Sequence, residues 1–431
     1  MTETLVPQAP VSTAEIAPHR PTDWRSHAME RRIRRRYTAE RRFRLLGLGA
    51  VVVSAACLAF LLIVMIAQGY QGFVETRLTL PLDLRDLRLE RSPERLKGPG
   101  ADLALAGAGL ERAVDAAANR AYEAEGGAAL LSDGAWLRVR DAIKHDPRLL
   151  THPFTLALPV ASAIDVAAKG NGTPAAERSV AKLGAHLSCG AAWDFFTGAD
   201  STDAARAGIW GALKGSLLTM VVTLALAFPV GVLSAIYLEE YAPRNRATDF
   251  IEVSINNLAA VPSIVFGLLG LAVFLGTLHL PRSAPLVGGL TLALMTMPVI
   301  VIASRNAIRA VPPSIRDAAL AVGASPIQVV SHHVLPLAAP GILTGTIIGM
   351  ARALGETAPL LMIGMRAFIA APPAGFTDSA TALPVQIFLW SDQVSRGFVE
   401  KTSAAILVLL VFLVAMNGVA IFLRNRFETR W

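Results

Sequence analysis

Two ionisable residues sit deep inside an apolar stretch, GMARALGETAPLL: Arg352 and Glu356. Four apart, they share one face of a helix and can pair. Burying such a charge in a bilayer costs roughly 2.5–3.5 kcal/mol on insertion scales, so intramembrane charges normally face a bundle interior and line a substrate path. Arginine presents a planar, permanently charged fork that matches an oxyanion. Glu356 would hold that fork between passages and repel an anion that lingers, because conduction needs weak, exchangeable contacts. A mutually neutralising pair that only fixes packing is the plainer alternative.

The remaining candidates carry less chemistry. Arg305 and Asn306 fall at the end of another apolar run, where snorkelling to the interface accounts for them. His145, His152 and His186 stand apart without metal-ligand spacing, and Cys57 and Cys189 suggest neither a disulfide framework nor a metal site. The phosphate-loop pattern G-x-x-x-x-G-K-S/T is missing; GALKGS at Gly211 lacks both its spacing and its Lys-Ser end. Nothing in the residues supports an enzyme, and no cofactor is expected on this chain. Transport against a gradient would draw its work from a partner.

The element that could receive that work is Pro312 to Pro336, PPSIRDAALAVGASPIQVVSHHVLP. Its pattern predicts two short helices around a tight turn. Ser314 is the expected N-cap of the first, with Asp317 at the capping-box position, and Gly323 takes the left-handed residue after its end. The second has Ser325 as N-cap, Pro326 at N1, Gln328 at N3 and Pro336 as its stop. Helices this short need a surface to pack on, and Ile315, Ala318, Ala319, Val322, Ile327 and Val330 offer one. A DNA-binding helix-turn-helix shares the pattern, but the second helix has no Lys or Arg, so no nucleic-acid partner is expected.

Composition places these elements in a membrane. Hydrophobic residues make up 53% of the 431 and charged residues 17%, against roughly 25% charged in soluble domains. The net charge of +7 is uneven, with a cluster from Arg25 to Arg44 just before the uncharged run Leu45–Ala67. That asymmetry predicts a cytoplasmic N-terminus beside anionic membrane lipid. Further apolar runs, Ile209–Leu238, Val253–Leu278, Ala284–Ser304, Leu337–Met365 and Ser403–Leu423, are each long enough to span. Six crossings return the C-terminus, with Arg424, Arg426 and Arg430, to the cytoplasm; Arg366 is a single exception to the charge rule. Prolines and glycines crowd these runs, as at Pro229, Pro262, Pro298, Pro340 and Gly345, and suit either tight packing or mobile joints.

The expected division is a basic tail (1–44) whose first 24 residues read as disordered, a first span (45–67), an extracytoplasmic domain (68–206), a five-span membrane domain (207–424) and a short tail (425–431). In the extracytoplasmic domain TRLTLPLDLRDLRLE alternates like a strand, Leu103 to Asp141 reads as helical and KGNGTPAAER reads as a loop. The fold class is therefore an all-α integral membrane protein with a mixed, mainly helical insert.

These residues resemble a family. Asp317-Ala318-Ala319, Gly323 and Leu335-Pro336 have the spacing of the EAA loop in permease subunits of binding-protein-dependent (type I) ABC importers. Asp317 replaces the usual Glu, and His333 the usual Ile. AVPSIVFGLLGL and ARALGETAPLL look like PstA-type phosphate permeases, over about residues 207–423. The resemblance implies a multi-pass inner-membrane subunit that docks a cytoplasmic ATPase through this loop. It also implies a PstC-type permease partner, two PstB-type ATP-binding subunits and a periplasmic phosphate-binding protein. A permease for sulfate or molybdate, and a membrane-anchored sensor, remain the alternatives.

Overall fold

The computed structural model of the chain describes residues 27–85, 87, 101–365, 368–369 and 371–427. The tail to residue 24, the end of the alternating segment at 88–90 and Arg366 lie outside the described residues. The chain divides into two compact units, up to Ile63 and from Val64 onward. The first is seen as part of helix α1 (His27–Gly69), 43 residues that carry the basic cluster and the first apolar run.

The second unit opens with a small α/β body. Strand β1 (Val74–Leu82) buries Leu78, Leu80 and Leu82 and exposes Thr79 and Pro81 between them, as a half-buried strand of period two must. Helices α2 (Ala101–Gly107), α3 (Leu110–Tyr122) and α4 (Ala135–His145) follow, then β2 (Phe154–Pro159), α5 (Ser162–Ala168), α6 (Pro174–Leu183) and β3 (Leu187–Ala191). The sheet order is β2-β1-β3, antiparallel throughout, with Leu78 opposite Leu158 and Thr76 opposite Cys189. Its core joins the β1 leucines to Leu105, Leu110, Val139, Ile143 and Leu158. The expected loop KGNGTPAAER is a loop only to Thr173, whose side chain caps α6, with Pro174 in its first turn. His186 packs edge-on against Tyr122 at 5.5 Å.

Helix α7 (Trp193–Thr197) leads to the membrane part: α8 (Trp210–Ile236), α9 (Arg246–Ala259), α10 (Ser263–Gly270), α11 (Pro285–Arg309), α12 (Pro313–Ala321), α13 (Pro326–Gln328), α14 (Leu335–Gly355), α15 (Ala358–Met362), α16 (Leu383–Ser391) and α17 (Arg396–Phe427). Among the described residues five helices are long and apolar enough to cross a membrane, or six if α9 and α10 are taken as one broken span. The fold is thus mainly helical and built for a membrane.

Two expected spans are corrected. Val253–Leu278 is not straight: α9 ends at Ala259, Pro262 adopts an extended ψ of 137°, and the segment beyond turns by 100°. Leu337–Met365 ends early, at Gly355, because Pro359 has no N–H to offer the Gly355 carbonyl four residues back and its ring would crowd that oxygen. Pro229, Pro298 and Pro340, by contrast, stay inside α8, α11 and α14.

Helix α11 is the buried centre, packed between α8 and α14. The α11–α14 seam depends on small residues: a Cβ on Gly345 would lie 2.1 Å from the Cβ of Ala303, and one on Gly341 would lie 2.6 Å from that of Ala307.

Candidate functional site

The chain enters α12 from Pro312, whose extended ψ of 137° precedes Pro313 in the first turn; a fixed φ pre-organises that start. Ser314 is therefore inside the helix rather than its N-cap, and Asp317 stands mid-helix and exposed rather than closing a capping box. The exit is as expected. Gly323 has φ +92°, its N–H bonds the Leu320 carbonyl at 3.0 Å and the next N–H, from Ala324, bonds that of Ala319 at 3.1 Å. That bond pair is a Schellman stop, and it needs a residue without a Cβ penalty at the left-handed position.

Ser325 and Gln328 form the expected capping box, with Ser325 N–H donating to Gln328 Oε1 at 2.8 Å. Pro336, however, is not a stop. A π-helical turn, Val329–Val334, carries α13 directly into α14, so Pro336 falls in the first turn of α14. A π turn departs from the i−4 ladder that proline cannot join, which is how the ring is accommodated. The result is one helical run from Pro326 to Gly355. At 1.5 Å per residue it places Arg352 about 40 Å along a rod from the capped turn.

The double helix has two faces. Ala319, Val329 and Val334 are buried against Ala235 and Leu238 at the end of α8 and Ile308 and Val311 at the end of α11. On the other side Leu320, Val322 and Ile327 are exposed, Val322 at 84%. Of the six residues expected to offer a packing surface, Ala319 and Val330 face inward, while Ala318, Val322 and Ile327 face out.

Beneath lies a charge network that the sequence reading did not assemble. Helix α8 runs into a π turn, Tyr237–Tyr241, bearing Glu239 and Glu240. Arg316 of α12 donates to Glu240 Oε1 at 2.7 Å and also to the carbonyls of Val311 (2.7 Å) and Ile308 (3.0 Å), just beyond and at the end of α11. Arg309 reaches Glu239 Oε1 at 2.9 Å. Arg305 does not snorkel: its side chain is 8% exposed, donates to Glu239 Oε1 at 2.6 Å and pairs with Glu252 of α9. A buried guanidinium is tolerable only with such partners. The hint in sequence was the pair Glu239-Glu240 at the end of an apolar run, complementing arginines at 305, 309 and 316.

Arg352 and Glu356 are brought together, but not on one helix. Glu356 is the residue that ends α14, with ψ 123°, and its Oε1 lies 3.5 Å from Arg352 Nε. That is longer than the 2.7–2.9 Å of a strong charge-assisted bond. The Arg352 side chain is half exposed and Glu356 largely covered, at 51% and 21%. A loosely held guanidinium beside a carboxylate can exchange its partner for another anion.

A family described as the binding-protein-dependent transport system inner membrane component matches residues 227–431, which include the double-helix loop and Arg352. The PstA phosphate transport system permease protein of Mycobacterium leprae is 35% identical over 225 residues, 51% of this chain and 72% of that protein. The chain belongs to the PstA-type permeases of binding-protein-dependent transport systems. PstA 1 of Mycobacterium tuberculosis (strain H37Rv) is 34% identical over 221 residues, covering 50% of this chain and 70% of that protein. The probable ABC transporter permease protein YqgI of Bacillus subtilis is 36% identical over 187 residues, and the chain spans only 62% of its length. Residues 30–178 match a separate family described as a domain of unknown function. Family and apolar helices together make this permease a multi-pass inner-membrane component.

Proposed function

We propose that this permease forms half of the transmembrane pathway of an ATP-driven phosphate importer and is worked from the cytoplasm through residues 312–336. The single observation that carries this is the unbroken helical run from the capped turn at Ser325 to Arg352. A displacement applied at the exposed Ile327, inside that run, reaches Arg352 through continuous helix, and Val322 sits beside it across the Gly323 turn. Closure of two ATP-binding subunits on each other, one of them seated on that face, would move the spans as a rigid body. Relatives named as phosphate permeases support phosphate as the substrate.

On this reading both termini are cytoplasmic, residues 68–206 lie outside, and the pathway is completed by a PstC-type permease. Two PstB-type subunits hydrolyse ATP, and a periplasmic phosphate-binding protein delivers the anion. Arg352 receives the oxyanion and Glu356 releases it; Asp317, Ala318, Ala319, Gly323, Leu335 and Pro336 shape the dock. This chain needs no cofactor of its own for that role.

The test is reconstitution with these partners in vesicles, followed by uptake of labelled phosphate. ATP-dependent uptake that excess sulfate leaves unchanged is the expected result. Competition by sulfate or molybdate would assign the permease to another oxyanion. Ligand binding without flux would leave a membrane-anchored sensor.

A further inference from the structure

An open cleft of about 590 Å³ lies where the α/β body meets the ends of two spans. It is lined by Gln68 and Gln71 at the end of α1, Asn171 and its flanking glycines after α5, and Arg396, Val399 and Glu400 in the first turns of α17. The apolar run of α1 stops at Ala67, one residue before Gln68, and that of α17 begins only after Lys401. The cleft is therefore at headgroup level, just beyond the hydrocarbon-facing stretches of both helices.

The charges around it are unevenly committed. Lys169 is held by Asp165 at 2.7 Å and Glu400 at 3.0 Å, and Asn171 donates to Gln71 Oε1 at 2.7 Å. Arg396 is exposed and, among the described residues, has no carboxylate partner; its Nη1 reaches only the Asn171 carbonyl at 3.3 Å. Glu400 Oε1 is buried with no donor among the described residues. One guanidinium fork thus lines the open cleft without a carboxylate partner among the described residues. A phosphate ester matches that fork.

We propose that this cleft binds an anionic, phosphate-bearing headgroup, with Arg396 on the phosphate. The chemistry is shared by an anionic phospholipid such as phosphatidylglycerol and by free phosphate, and the position at the ends of two spans favours the lipid. Neither the coupling nor the substrate proposed above is needed for this site.

The full-length permease, purified in detergent, is exposed to equal amounts of phosphatidylglycerol and phosphatidylcholine, and bound lipid is counted by native mass spectrometry. The wild type is expected to retain phosphatidylglycerol, and Arg396→Gln to lose roughly tenfold or more of that retention, as removal of a charged hydrogen-bond partner implies. Val399→Trp, which puts bulk into the cleft beside Arg396 and leaves the charge in place, is expected to lower that retention as well. A parallel titration with inorganic phosphate alone separates the sources: binding there that depends on Arg396, with no lipid preference, assigns the site to the free anion. Lipid retention and phosphate binding that are both unchanged in the two variants would overturn the proposal.

Discussion

Arg316→Ala is expected to leave the importer assembled and hydrolysing ATP while phosphate carried per ATP falls roughly tenfold or more. The guanidinium joins three elements at once: α12, on which a partner would push, Glu240 beyond the end of α8, and the carbonyls of Ile308 and Val311 where α11 ends. Its loss removes bonds to a charged group that are worth about 1.5–3 kcal/mol each and strands a Glu240 whose side chain is only 11% exposed. The buried packing of Ala319, Val329 and Val334 keeps the loop folded, so the defect falls on transmission and not on docking. The pair can be isolated from the background by a double variant. Glu240→Ala on top of Arg316→Ala should cost little more than Arg316→Ala alone, since contacting residues are non-additive. Coupling measured as labelled phosphate per ATP in vesicles decides the matter; a normal ratio in Arg316→Ala would remove the network from the force path.

Arg352→Ala is expected to abolish uptake, by roughly a hundredfold, in a complex that still assembles. The residue is half exposed and held by Glu356 only at 3.5 Å, so the fold depends on it weakly. A transiting oxyanion, in contrast, loses a bidentate partner whose charged hydrogen bonds contribute about 1.5–3 kcal/mol apiece. Arg352→Lys should recover only part of the rate, because an ammonium keeps the charge but not the planar fork. Labelled phosphate uptake beside a pull-down of the partner subunits reads both quantities. Near-normal uptake in Arg352→Ala would leave the pair with a packing role.

What the sequence made legible was local. Gly323 could be placed because few other residues accept a left-handed helix exit, and Ser325 with Gln328 because a capping box closes within three residues. The alternation of Leu78, Leu80 and Leu82 announced a strand for the same reason. Prolines were ambiguous. Pro262 and Pro359 sit at helix breaks while Pro229, Pro298 and Pro340 are absorbed, and the choice depends on what neighbouring helices do with the freed carbonyls. Ser314 misled because two prolines before it had already started the helix. The arginine network was hidden by distance along the chain, with carboxylate partners 53 to 76 residues apart that only the folded bundle brings together.

Central to the account is that the exposed face of the double helix receives the ATP-binding subunit. A photoreactive side chain at Val322, the most exposed apolar position of that face, tests this most directly in the assembled importer. The account predicts an adduct with the ATP-binding subunit whose yield changes when ATP is added. An adduct with the periplasmic binding protein, or none with the ATP-binding subunit while uptake is intact, would contradict it.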